Sequence, residues 1–288
     1  MNSPQQRVAF SGSASEGSVS TASSTIEIDI DSSTLCSILT YPHISIEEYA
    51  ARMDELKSLG ITSFMLGGRT RIGRLEIAGK GCVGLVLRTK VGKKVFALKV
   101  RRTDADRKTM YNEAERLKIA NSVGVGPQLD QFSKNFIIME FIEGPSILNW
   151  ATKKIDDINV DNSICDGQAR GVAHSILEQT YNLDRALLDH GELSRLDHHV
   201  IVTSDRIASI IDFESASTSR AMCNVTASAQ SMLLSGALSS KMKRMLEIGS
   251  MATPGDKGQI KRSRIIKILQ VYKREQNRQN FEKIMDLF

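Results

Sequence analysis

A lysine, three carboxylates and a glycine-rich turn follow one another along this chain in an order that suits one chemistry, phosphoryl transfer from a metal-bound nucleotide. The turn is Gly79-Lys80-Gly81-Cys82-Val83-Gly84, with Val86 just beyond it. Then come Ala97-Leu98-Lys99, Glu113, Met139-Glu140-Phe141-Ile142, His190-Gly191-Glu192 and Ile211-Asp212-Phe213. A lone G-x-G-x-x-G turn arises easily by chance. The ordered set, with spacings that fit a single fold, is a strong signal.

Each residue type has a physical reason to be there. Glycines without Cβ atoms let a loop lay its N–H groups against phosphates. Lys99 ends the apolar run Val95-Phe96-Ala97-Leu98, so its ammonium must find an anion or reach solvent. The expected anions are the α- and β-phosphates of ATP and a carboxylate on the next helix. Glu113 is the better candidate because Leu117, one turn on, faces the core, whereas Glu115 points away and suits a surface base. Met139 closes an apolar strand, after which backbone groups of Glu140 and Ile142 are expected to face an adenine edge. Asp212, at a strand end, is the expected Mg²⁺ ligand.

Elements must hold these residues. Residues 1–34 contain ten serines and no helical period, and read as disordered, with Ile26-Glu27-Ile28-Asp29-Ile30 as a possible edge strand. Residues 35–70 read as a helical extension, in which Ser45-Ile46-Glu47-Glu48 has capping-box spacing and Gly60 ends a helix from Ile46 to Leu59. In residues 71–144, Leu75–Ala78 and Leu85–Thr89 flank the glycine turn as a hairpin. Val95–Val100 is a third strand, Asp104–Asn121 a helix and Phe136–Phe141 a buried strand. Residues 145–256 are mostly helical, with Val172, Ile176, Thr180, Leu183 and Leu187 on one apolar face. Val200–Val202 and Ile207–Ile211 form a hairpin ending at Asp212, followed by helices near Ser228–Gly249 and from Ile260 to about Leu287.

Composition bounds the rest. The 288 residues are 41% hydrophobic and 25% charged, as in ordinary globular proteins. No apolar run approaches the roughly 18 residues that span a bilayer, so no membrane partner is expected and the cytoplasm is the expected compartment. Cys36, Cys82, Cys165 and Cys223 are scattered without a C-x-x-C pair, which argues against a zinc site or disulfide framework. The net charge of +5 falls on residues 257–288, where nine Lys/Arg face three Asp/Glu. That tail is either the solvated face of a C-terminal helix or a surface for an acidic, RNA-containing partner.

The stretch His190-Gly191-Glu192-Leu193-Ser194 resembles the catalytic loop of the RIO and tRNA-modification-complex kinases, the compact atypical branch of the protein kinase superfamily. With Arg195 it looks, more narrowly, like a group of archaeal predicted serine/threonine kinases that share an H-G-E-L-S-R motif. The resemblance covers roughly residues 70–225. It implies an α+β, bilobal protein-kinase-like fold: a small N-lobe with an antiparallel sheet and one helix, and a reduced helical C-lobe. In agreement, no A-P-E motif follows Asp212 and only 76 residues lie beyond it.

Three departures from the family pattern stand out. Glu192 replaces the catalytic Asp, and its extra methylene moves the carboxylate by about 1.5 Å. Such a displacement can cost on the order of 10²-fold in rate unless the backbone compensates. The metal-binding Asn has no counterpart: counting forward from His190 gives Asp197, and counting back from Asp212 gives His199. Glu214 replaces the glycine after Asp212-Phe213, stiffening the turn and adding negative charge beside the metal. Arg195 stands where other kinases place a phosphate-contacting lysine. The expectation is an ATP- and Mg²⁺-dependent serine/threonine kinase acting on a protein, including its own serine-rich N-terminus. The alternatives are an ATP-binding pseudokinase or ATPase switch within an assembly and, last, a small-molecule kinase of the aminoglycoside type.

Overall fold

The computed structural model describes residues 26–30, 33–68, 70–156, 162–250 and 262–288. They form a mixed α+β structure built around an antiparallel sheet and a set of packed helices. The strands are β1 (Ile26–Asp29), β2 (Ile61–Leu66), β3 (Thr70–Ile72), β4 (Leu75–Ile77), β5 (Gly79–Lys80), β6 (Gly84–Val91), β7 (Lys94–Arg101), β8 (Leu129–Phe132), β9 (Phe136–Glu140), β10 (Val200–Val202) and β11 (Ala208–Ile210). The helices are α1 (Cys36–Leu39), α2 (Ile46–Ser58), α3 (Tyr111–Ser122), α4 (Ile147–Asp156), α5 (Asn162–Arg185), α6 (Leu196–His199), α7 (Asn224–Leu233), α8 (Gly236–Ser250), α9 (Arg262–Arg274) and α10 (Arg278–Met285).

The main sheet runs β1-β2-β6-β7-β9-β8, with the short β5 also paired to β6. The β6–β7 hairpin sets Val86 opposite Lys99, and the β7–β9 pairing sets Ala97 opposite Met139. One hydrophobic cluster unites this sheet with α1 and α2 through Leu39, Leu56, Phe64, Leu87 and Ile138. A second joins α3 to the helices through Leu117, Ile176, Leu193, Phe213, Met232 and Tyr272. Among the described residues no helix is long and apolar enough to cross a membrane.

Several sequence expectations need correction. Residues 35–70 are not helical throughout: Ile61–Leu66 adds a strand to the sheet, because Ile61, Phe64 and Leu66 find an apolar surface against β6. Ile26–Asp29 is ordered as the edge strand β1, paired with Leu66–Ser63, and Ser33–Leu35 forms a short 3₁₀ turn, so the disordered segment expected over 1–34 does not extend to 34. Residues 1–25 lie outside the described residues. Leu75–Ile77 pairs with Thr70–Ile72; it is Gly79–Lys80 that returns against Gly84–Val91. The helix expected from Asp104 begins at Tyr111, since the preceding backbone is committed elsewhere. Met110 N–H donates to Lys134 O at 2.9 Å, and the Arg101 guanidinium donates to Arg107 O at 3.3 Å.

Leu187 is 64% exposed, because α5 ends at Arg185 and Leu187 takes a left-handed φ of 54°. The long helices expected near Ser228–Gly249 and after Ile260 are each two helices. Gly236, with φ 86°, breaks the first, and Asn277, whose side chain accepts from Asn280 N–H at 2.8 Å, starts a new helix in the second. In α9, Ile265, Leu269 and Tyr272 face the core, which turns most of its basic residues outward.

The α2 helix forms as its cap dictates, with Ser45 Oγ accepting from Glu48 N–H at 3.2 Å. Its Arg52 is fully buried and donates to Leu39 O, to Arg101 O at 2.6 Å and to Glu48 Oε1 at 2.8 Å. Neighbouring Glu55 accepts from Asn135 N at 2.7 Å and from Asn135 Nδ2 at 2.8 Å. A buried guanidinium so engaged ties α1, α2 and β7 together. Its truncation leaves the Leu39 and Arg101 carbonyls buried without their charged donor, and two such losses cost about 3–5 kcal/mol together. Arg52→Ala is therefore expected to lower the unfolding free energy by about that much, read from urea denaturation at fixed pH. A change within the error of the fit would show that the knot is solvated.

Candidate functional site

Three carboxylates from two other pieces of chain converge on the Lys99 ammonium. Lys99 comes from β7 and is 3% exposed. It donates to Glu113 Oε1 of α3 at 2.7 Å, to Asp212 Oδ1 just after β11 at 2.7 Å and to Glu214 Oε2 at 3.0 Å. Burial opposes the charged ammonium, but the three carboxylates outweigh it, Glu113 most, and hold Lys99 firmly protonated. One cation shared among three anions leaves Glu113 short of compensation. Its carboxyl is pushed up by burial, and Glu113 Oε2 is buried without a hydrogen bond. Burial also works against Asp212, yet Lys99, followed by His199 and His190, holds it below the usual carboxylate range.

The glycine turn approaches the same point. Gly81 N–H closes it by donating to Gly84 O at 2.8 Å, and the Arg102 guanidinium holds Gly81 O at 3.0 Å. A Cβ on Gly84 would lie 3.0 Å from Lys99 Cγ and from Val100 O, so any side chain there would crowd the lysine. At the tip Cys82 is exposed, while Val83 packs on the helical core. Gly79 and Val86 are paired across β5 and β6. Lys80 turns away, donating to Tyr41 Oη at 2.6 Å. Ala97 is buried opposite Met139, the residue that closes the strand leading to the expected adenine edge. The Glu140 N–H, by contrast, donates to Gln128 O at 2.8 Å and is directed at β8; Ile142 follows the strand, half-buried.

Opposite the sheet lies the segment 189–199. Gly191 has φ 90°, and a Cβ there would come within 2.3 Å of Arg220 Nη2 and 2.9 Å of Ser215 O, so only glycine fits. Glu192 Oε1 accepts from Arg195 at 2.8 Å, which explains the position of Arg195 without any phosphate. Glu192, His199 and Asp212 bring one ligand atom each within 4.8 Å of one another. Asp197 is not in that group; it pairs with the exposed His198 at 3.3 Å. Of the two positions left open by counting, the fold therefore brings His199 to Asp212, because α6 turns Asp197 outward. Glu115 pairs with Lys118 at 2.7 Å on the surface.

A support layer escaped the motif reading. Asn224, at the start of α7, accepts from His190 N–H at 2.8 Å and donates to Leu188 O at 2.8 Å. Its amide also donates to the buried Asp184 at 2.8 Å, and Asp184 accepts from Tyr272 Oη of α9 at 3.0 Å. Asp189 is buried against Arg220 at 2.8 Å and pairs its backbone with Ser217. The one available signal was Asn224-Val225-Thr226 opening an apolar helix, which reads as a cap and not as a clamp on a loop 34 residues away.

The donors fit a nucleotide and a divalent cation: a glycine cradle that Cβ atoms would fill, a buried ammonium, and carboxylate oxygens beside an imidazole. Asp212, Glu192 and His199 are the residues that would hold the metal. No protein-family model and no curated protein sequence matches the chain.

His190 gives a pH test. Burial, with His199 adding to it, pushes its pKa from 6.5 down to about 4, and His190 Nε2 lies 3.1 Å from Ile211 O. A neutral imidazole in the folded state and an ordinary one in the unfolded state mean that the unfolded chain takes up the proton first. Stability is then full above about pH 6.5, falls as pH drops toward 4 and levels below it. The wild type is expected to lose roughly 2–3 kcal/mol from this group between pH 7 and 4.5. His190→Gln should lack that component, checked by urea denaturation at both pH values; equal slopes would remove His190 as the cause.

Proposed function

We propose that this chain is an ATP-dependent phosphotransferase of bilobal, protein-kinase-like architecture, transferring a phosphoryl group to serine or threonine hydroxyls of a protein, its own N-terminus included. In this reading the sheet with α3 is the smaller lobe and the helices are the larger one. The observation that carries it is the meeting of Lys99 from β7 with Glu113 from α3 and Asp212 from the opposite side, at 2.7 Å each. Gathering four charged groups in one place, two of them buried, is costly unless a ligand of high charge uses them.

Mechanistically, the glycine turn receives the phosphates with its N–H groups and Lys99 carries their negative charge, with Glu113 fixing the lysine from behind. The divalent cation, when bound, neutralises charge on the transferred group. Glu192 orients the acceptor hydroxyl: the hydroxyl oxygen bonds to the γ-phosphorus as the bond from phosphorus to the ADP oxygen breaks, and the hydroxyl proton passes to Glu192 Oε1, the oxygen on the Arg195 side, Oε2 being the one turned to His199. Little basicity is asked of Glu192, because such transfers are largely dissociative. Asp212 holds its place with a left-handed φ of 70°, a strained setting for a residue with a side chain.

One observation favours a second reading, a nucleotide-dependent switch with slow turnover. Glu214 sits 3.0 Å from Lys99, and a Cβ on Gly81 would lie 3.8 Å from its Oε2, which puts a carboxylate where phosphates would approach. The two readings separate experimentally. Incubation with γ-labelled ATP is expected to label the wild type, and Lys99→Met and Asp212→Asn to lower incorporation by at least about 10²-fold, while Glu115→Ala is unaffected. Incorporation that is equal in all four proteins sinks the transferase. ATP binding without incorporation in the wild type selects the switch.

A further inference from the structure

His199 makes no hydrogen bond through either ring nitrogen among the described residues. Nδ1 is buried and unpartnered, and the nearest acid to Nε2 is Glu192 Oε2, at 3.7 Å. The side chain is only 7% exposed, so Nδ1 is turned into the protein. A buried nitrogen without a partner beside two carboxylates is an arrangement that a bound cation would complete. The backbone fixes it there: Ile211 N–H donates to His199 O at 2.9 Å, one residue before Asp212.

We infer that Glu192, His199 and Asp212 form a metal site for Mn²⁺ in preference to Mg²⁺, with the His199 imidazole as the discriminating ligand. The inference deepens the metal assignment of the proposed transferase and rests on that reading of the site. Mg²⁺ is hard and small, holds its water and prefers oxygen donors throughout; first-row transition ions accept imidazole readily, and Mn²⁺ also keeps the taste for carboxylate and phosphate oxygens. The donor set offered here is one nitrogen and two carboxylates. Lys99 occupies Asp212 Oδ1 and leaves Oδ2 for the ion, while Arg195 holds Glu192 Oε1 and leaves Oε2 on the His199 side. Asp197, the all-oxygen alternative that would have suited Mg²⁺, is turned to the surface beside His198.

The test uses the full chain and the metal alone. Mn²⁺ is titrated into the metal-free protein, binding is followed by electron paramagnetic resonance, and the bound ion is examined by spin-echo modulation for a coordinated imidazole nitrogen. The wild type is expected to show that nitrogen, and Mg²⁺ to displace Mn²⁺ only at about tenfold or greater excess. His199→Asn should lose the nitrogen signal and bring the two ions to comparable affinity. A wild-type spectrum without nitrogen coupling, or displacement by equimolar Mg²⁺, overturns the inference whether or not the variant folds. Binding of a non-hydrolysable ATP analogue, compared between wild type and Lys99→Met, is measured separately. A metal site with imidazole but no analogue binding rejects the nucleotide reading and spares this one.

Discussion

A buried ammonium cannot stand alone, and much of this molecule is arranged around that constraint. Lys99 lies within the buried stretch Ala97–Arg101 of β7, so its side chain has no route to water. The carboxylates that answer it come from α3 and from the segment after β11, that is, from both sides of the structure. Their mutual repulsion is tolerable only while the lysine stays between them. The ion cluster thus specifies how the sheet and the helices meet, a specificity that apolar packing alone provides less sharply.

The same logic reaches outward through polar links. Tyr272 of α9 is bonded to Asp184 of α5, Asp184 to Asn224 of α7, and Asn224 to the backbone of His190. Each is a buried group that would be costly if unpaired. The C-terminal helices therefore hold the loop that carries Glu192, and the basic residues that drew attention in the sequence lie on the outer face of the element that does so. Position and charge on α9 answer to different demands.

How legible was this in the sequence? The strands β6, β7 and β9 and the helix α2 were, because their signals are local: the apolar run Val95–Leu98, and a serine cap three residues before a glutamate at Ser45. Glu113 was distinguishable from Glu115 for the same reason, since helical geometry puts only one of them on the core side. Ile61–Leu66 was missed because a short mixed hexamer takes its state from the partner it finds, here β6, which no local pattern encodes. The break at Gly236 was overlooked because Leu234, Leu238 and Met242 keep helical spacing across it, and the new start at Asn277 because the polar run from Lys273 to Asn280 holds no glycine or proline to mark a stop. At the site, Asp197 and His199 were inseparable by counting; a four-residue helix decides which faces Asp212, and a helix that short leaves almost no periodic signal. The contact of Glu214 with Lys99 depends on the turn at Asp212 and was readable only as an extra negative charge.

Phe213 deserves a last consequence. Its ring is almost wholly enclosed, and a Cβ added to Gly126 would stand 2.7 Å from Phe213 Cε2, so the aromatic group sits in a seat shaped by the missing side chain of another residue. On its other flank the ring meets His190 edge-on, with centroids 5.0 Å apart. With a glutamate following it in place of glycine, the peptide has little freedom to swing that ring out. Small molecules that gain selectivity by evicting an aromatic plug and filling the hollow beneath would find this one shut. Compounds aimed at this chain are better built outward from the glycine turn, toward the exposed thiol of Cys82.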